Sequence, residues 1–228
     1  SDMYLSYPVI CISGKDGQLL KNAESKTITV QAGLKAPAST DYKMSDFSSW
    51  GVTPDLQLKP EITAPGGNIY SSVLDGQYSY MSGTSMATPQ MTGISALMHE
   101  YVESDAKFSG MSDEQRNQVV TQLLMSTAKP LANSAVENSY VSPRKQGAGL
   151  ANVPAATSSD VYATVDGATD ASRPKADLGE SASGQWQFTV ALHNLGGQER
   201  TFTPDAAALS EQVANGLFQL QSDNWTGK

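Results

Sequence analysis

The residue best suited to covalent chemistry is Ser85, in the stretch Ser82-Gly83-Thr84-Ser85-Met86-Ala87-Thr88-Pro89. Small residues lead into the serine and a helix-forming run follows it, so the Ser85 hydroxyl is expected near a helix N-terminus. Free backbone N–H groups and the helix dipole favour a developing negative charge at such a place. A serine that attacks a carbonyl needs that setting, because the tetrahedral intermediate carries an oxyanion. The plainer alternative is a serine that only caps the helix and satisfies orphan amides. The letters Gly-Thr-Ser-Met do not separate the two.

A nucleophilic serine also needs a base, and a group that orients the base. The chain has two histidines. His99 lies 99 − 85 = 14 positions along the same expected helix, which at ~1.5 Å per residue is about 21 Å, far outside hydrogen-bond reach. His193 falls on an alternating, strand-like run, on the face opposite Trp186 and Phe188, and reads as a surface histidine at a strand end. Neither is the base. Cys11, the single cysteine, can form no intrachain disulfide and reads as a small buried hydrophobe in Pro8-Val9-Ile10-Cys11-Ile12. The carboxylates at Asp113/Glu114 and Glu100/Glu103/Asp105 read as solvated helix ends, so no metal site and no cofactor is expected. An α/β-hydrolase elbow is disfavoured, because Ser82-Gly83-Thr84-Ser85-Met86 lacks the second glycine of Gly-x-Ser-x-Gly.

Gly83-Thr84-Ser85-Met86-Ala87-Thr88-Pro89 resembles the nucleophile motif of the subtilisin-like serine peptidases, the subtilases. Two upstream blocks resemble the segments that precede it in that family: Met44-Ser45-Asp46-Phe47-Ser48-Ser49-Trp50-Gly51 and Lys59-Pro60-Glu61-Ile62-Thr63-Ala64-Pro65-Gly66-Gly67-Asn68-Ile69. The similarity is greatest to the cell-envelope proteinases of Gram-positive bacteria, the lactocepin and streptococcal C5a peptidase group. The resemblance implies Ser85 as nucleophile, the Ser85 N–H with Thr84 as oxyanion support, and Met86 on the leaving-group side, where it would be sensitive to oxidation. The family's Asp-Ser/Thr-Gly and His-Gly-Thr blocks, and its oxyanion asparagine, come from further upstream and do not occur here. Asn68 does not match that asparagine by context. Gln90 departs from the histidine that many relatives carry after the proline, and is assigned a helix-packing role. Calcium is bound by some subtilases, but no ligands can be placed here.

These residues must be positioned by an α/β fold, implied by the resemblance to be the C-terminal part of a parallel-sheet catalytic domain. Residues 1–24 resemble the end of a protease-associated insert: a strand over Tyr7–Ser13, a turn at Gly14–Gly17 and a short helical piece over Gln18–Asn22. Residues 25–157 are the expected catalytic part, entered by the β-branched strand Thr27–Val30. Asn68–Val73 should be a short strand, and Tyr78–Met81 leads into the nucleophile. One helix is expected from Ser85 to about Glu103, with Pro89 in its first turns and Met91, Ile94, Leu97, Met98, Tyr101 and Val102 as a buried stripe. Gly93 suggests close backbone packing. A second helix over Asp113–Thr127 has a capping box at Ser112/Gln115 and an apolar face of Val119, Val120, Leu123 and Leu124. Gly147-Ala148-Gly149 resembles the family's Gly-x-Gly before a final helix. Residues 158–228, with alternating runs at Asp160–Val165 and Gln185–His193, read as the start of an incomplete fibronectin-III-like β-sandwich.

The 228 residues, 39% hydrophobic and 17% charged, are ordinary globular material. A net charge of −8 argues against nucleic acid or an anionic membrane as partner. No apolar run reaches the ~20 residues of a membrane span, and no signal peptide is visible. The expectation is therefore a fragment of a secreted or cell-wall serine endopeptidase. It acts on protein or peptide, is inactive alone, and needs upstream sequence to complete its site. The competing expectation is a non-catalytic surface adhesion or docking module on a degenerate subtilase scaffold. The intact motif around Ser85 favours the enzyme.

Overall fold

A computed structural model describes residues 14–24, 42–133, 139–168, 170–214 and 217–223. The chain divides into two compact units, residues 1–40 and 41–228. In the first, the described residues form a helix, α1 (Gly14–Asn22), closed by the Ala23 N–H on the Leu20 carbonyl. The turn expected at Gly14–Gly17 is thus the first turn of this helix. The strands expected at 7–13 and 27–30 lie outside the described residues.

The second unit begins with irregular, turn-containing backbone and then forms a hairpin. Strands β1 (Ile69–Ser72) and β2 (Tyr78–Met81) pair antiparallel, with Tyr70 opposite Tyr80 and Ser72 opposite Tyr78. Helix α2 (Thr84–Ser104) starts three residues after β2. Helix α3 (Asp113–Ser126) is opened by the expected capping box: the Gln115 N–H donates to Ser112 Oγ, and the Ser112 N–H donates to Gln115 Oε1. Short helices α4 (Pro143–Gln146) and α5 (Val153–Ser158) follow.

The core sits where α2, α3 and α5 meet. Met98, Val102, Phe108, Val119, Val120, Leu123, Leu124 and Ala156 form one buried cluster. All four apolar positions expected of α3 are in it. On α2 the expectation holds in part. Met98 and Val102 are buried and Met91, Ile94 and Tyr101 half-buried, but Leu97 is 58% exposed. Nothing lies within 4 Å of where a Gly93 Cβ would stand. The close backbone contact expected there is absent among the described residues, because Gly93 lies on the side of α2 turned away from α3.

Gly147 and Gly149 allow close backbone approaches in this unit. A Cβ on Gly147 (φ +64°) would stand 2.3 Å from the Glu61 carbonyl, and one on Gly149 (φ +123°) 2.4 Å from the Lys129 carbonyl oxygen. No side chain fits at either distance. The glycines let residues 147–151 slot between two segments: the Ala148 N–H donates to Glu61 O, the Ala151 N–H to Thr63 O and the Leu150 N–H to Lys129 O. Thr63 and Leu150 form a parallel bridge, the parallel pairing present among the described residues.

Beyond α5 the described strands form two-stranded antiparallel sheets: β3 (Val161–Val165) with β4 (Val190–Asn194), and β5 (Ala208–Ala214) with β6 (Leu217–Asp223). The long run expected over Gln185–His193 is a strand only from Val190, where pairing with Val165 begins. Trp186 and Phe188 are about half exposed. The segment from α5 into β3 is tied to the preceding helices. The Tyr101 hydroxyl donates to Thr157 O (2.6 Å), Lys107 pairs with Asp160 (3.5 Å), and the Ala163 N–H donates to Ser126 Oγ (3.0 Å). Tyr162 and Leu195 pack on the core. Farther along, Gln122 holds Ala171 O at 2.8 Å. Glu61 takes Lys59, Arg173 (3.2 Å) and Lys175 (3.4 Å) as ion partners.

Candidate active site

Strand β2 ends at Met81, and two residues later Gly83 serves as N-cap of α2. Glycine has no side chain to cap with, and no side-chain cap bond is made. The first-turn donors are therefore open, apart from the Met86 N–H, which donates to Gly83 O. Among the described residues the Thr84 and Ser85 N–H groups have no partner, and neither does the Ser85 hydroxyl. Both side chains are exposed. The structure thus puts Ser85 on the second residue of a 21-residue helix, beside unpaired amide donors. Met86 is half-buried, and its sulfur lies 3.6 Å from where a Gly83 Cβ would stand.

Pro89 removes the N–H that would have bonded the Ser85 carbonyl four residues back. Thr88 and Thr92 turn their hydroxyls onto the carbonyls of Thr84 (3.0 Å) and Thr88 (3.1 Å), satisfying acceptors on the same exposed side.

A loop supports the helix start from below. The Gly83 N–H donates to Gly66 O (2.8 Å), and Gln90 Nε2 donates to Pro65 O (2.9 Å). A Cβ on Gly66 would stand 2.7 Å from Gly83 O, so only glycine permits this approach. The Asn68 N–H donates to Ser82 Oγ (2.8 Å), closing the base of the β1–β2 hairpin. The helix-packing role assigned to Gln90 is therefore a clamp on the Ala64-Pro65-Gly66 turn. The positioning roles of Gly66 and Ser82 were missed. The glycine after Pro65 was the available signal, whereas nothing in sequence marks Ser82 Oγ as an acceptor. Thr84 and Ala87 border a cleft of about 680 Å³ that Phe47, Trp50 and Pro65 also line.

The histidines stay apart from Ser85. His99 is half-buried, four turns along α2. His193 is engaged within its hairpin: its Nε2 shares a 2.8 Å hydrogen bond with Thr164 Oγ1, and its ring stacks on Tyr162 at 4.7 Å. Among the described residues no cluster of His, Cys, Asp and Glu could hold a metal ion, and no helix is long and apolar enough to cross a membrane.

The model of the subtilase family, peptidase S8, matches residues 14–149, more than half of the chain. This chain belongs to the subtilase family. Its relatives include the C5a peptidase of Streptococcus pyogenes serotype M1, 36% identical over 214 residues, which cover 93% of this chain and 18% of that protein. The PII-type proteinase of Lacticaseibacillus paracasei is 32% identical over 234 residues, covering 97% of this chain and 12% of the relative. That of Lactococcus lactis subsp. cremoris is 35% identical over the same coverage. The solved CspB protease of Clostridium perfringens is 30% identical, with a TM-score of 0.39 over 50% of this chain and 22% of that one. The chain thus spans less than a fifth of the length of these protein relatives.

Proposed function

We propose that this chain is the nucleophile-bearing part of a longer serine endopeptidase. The observation that carries the reading is the Ser85 hydroxyl, exposed and unbonded on the second residue of α2, within the family's motif. Ser85 Oγ adds to the scissile carbonyl carbon while a base takes its proton. The oxyanion is met by the Ser85 N–H, with Thr84 in support. Collapse breaks the C–N bond, the amine leaves with a proton, and water releases the acyl group from Ser85. The Asp, the His base and the oxyanion asparagine belong to sequence preceding this chain, and Met86 lines the leaving-group side. The substrate is protein or peptide. By the company of its relatives the protein works outside the cell or on the wall. Residues 158–228 begin a fibronectin-III-like module, and residues 1–24 end a protease-associated insert.

Covalent labelling with a fluorophosphonate tests this. The longer polypeptide should be labelled, its Ser85→Ala variant should not, and this chain alone should resist, since loss of triad members is nearly all-or-none. A folded parent that stays unlabelled would overturn the reading. Strong labelling of the isolated chain would show that the base lies within it.

A further inference from the structure

Three tyrosines form an uncovered aromatic face on the hairpin that feeds the nucleophile. Tyr70, Tyr78 and Tyr80 are 59%, 63% and 65% exposed. Strand alternation and the Tyr70–Tyr80 pairing put all three on one side. They touch one another, Tyr70 to Tyr78 at 5.6 Å and Tyr70 to Tyr80 at 4.8 Å between ring centres. None of the three hydroxyls has a hydrogen-bond partner among the described residues. Contiguous exposed apolar surface of this kind can mark a binding site. Tyrosine also suits recognition, because it offers a large amphipathic contact at a low cost in side-chain entropy.

The hairpin leads directly into the start of α2 and Ser85. One step beyond the Tyr70–Tyr80 pair stand Asn68 and Ser82, joined by the 2.8 Å bond from the Asn68 N–H to Ser82 Oγ, and Gly83 and the start of α2 follow at once. Tyr80 is five residues before Ser85, a reach of at most about 18 Å of chain. An extended peptide rising ~3.3 Å per residue covers that distance with about five residues. The only charged side chain on the hairpin is Asp75 in its tip, so the face is neutral and reads apolar and hydroxyl-bearing groups rather than charge.

We infer that the Tyr70–Tyr78–Tyr80 face is an extended substrate-binding surface, gripping the polypeptide within about five residues of the bond that Ser85 attacks. This rests on Ser85 being the nucleophile of a peptidase. Its consequence is a length preference: substrates that reach the hairpin bind tighter than those that stop short of it.

The experiment uses the longer polypeptide and two internally quenched peptides with one shared cleavage sequence, extending about three or about eight residues to either side of the bond. In the Tyr70→Ser/Tyr80→Ser variant, KM for the long peptide should rise about tenfold with kcat retained, as loss of aromatic anchors does. The preference for long over short peptides should collapse, and Tyr70→Phe/Tyr80→Phe should recover most of it. An unchanged preference would overturn the inference while leaving Ser85 in place. An equal fall on both peptides would also overturn it, marking the tyrosines as supports of the hairpin. Parent protein that cleaves neither peptide would bring down the reading of Ser85, and this face with it.

Discussion

At the scale of the residue, the site depends on how the start of α2 is held. Gln90 reaches back along the helix to the Pro65 carbonyl, and Gly66 lies against Gly83 at a distance no other side chain permits. Gln90→Ala should cost about 0.5–1.5 kcal/mol, the net worth of one such bond. Gln90→Glu should cost more, because a carboxylate has no donor to offer the carbonyl. Urea denaturation followed by tryptophan fluorescence checks both, and equal stability of all three proteins would show that the clamp is idle. The placement of Ser85 at a helix start was legible, since small residues before a helix-forming run announce an open N-terminus. Ser82 was not. Its role comes from standing across the hairpin from Asn68, a pairing that sequence spacing does not reveal.

At the scale of the element, helices were read well where their ends carry local chemistry. The capping box of α3 is closed within four residues, so Ser112 and Gln115 spell it out before any tertiary contact forms. Ser112→Ala should therefore destabilise by about 1 kcal/mol. Ser112→Asn or Ser112→Asp should retain most of the stability, measured as the shift in denaturation midpoint. A neutral Ser112→Ala would mean that tertiary packing alone sets the helix start. Elements whose state depends on a distant partner were read less well. Leu97 fits the apolar period of α2, yet faces away from α3 and is exposed. Residues 185–189 alternate as a strand would, but pairing with β3 starts only at Val190. Period reports which residues share a face, and a partner decides whether that face is covered.

At the scale of the whole molecule, the segment after α5 is bound to the helical part through polar contacts as well as the shared core. Glu61 makes two of them, to Arg173 and Lys175. Burial pushes its carboxyl upward, but the hydrogen bond from Lys59 and the charges of Lys59, Arg173 and Lys175 outweigh that and hold it below the ordinary glutamate range. A carboxylate with a depressed folded-state pKa contributes stability above its unfolded value and loses it as pH falls toward the folded one. The contribution should thus be full at neutral pH and fade below about pH 4. Glu61→Gln should be less stable than the parent at pH 7, with the gap narrowing as acid is added. A thermal-denaturation series across pH checks the sign, and a gap that stays constant would remove Glu61 from the acid response.

These contacts also bear on how such proteins can be recombined. Lys107 with Asp160, and Glu61 with Arg173 and Lys175, have one partner before residue 158 and the other after it. A homologue that lent only its tail would bring one half of each pair to a stranger. Exchange between lineages should then be better tolerated when both halves match, so these positions would act as a compatibility code written across the join.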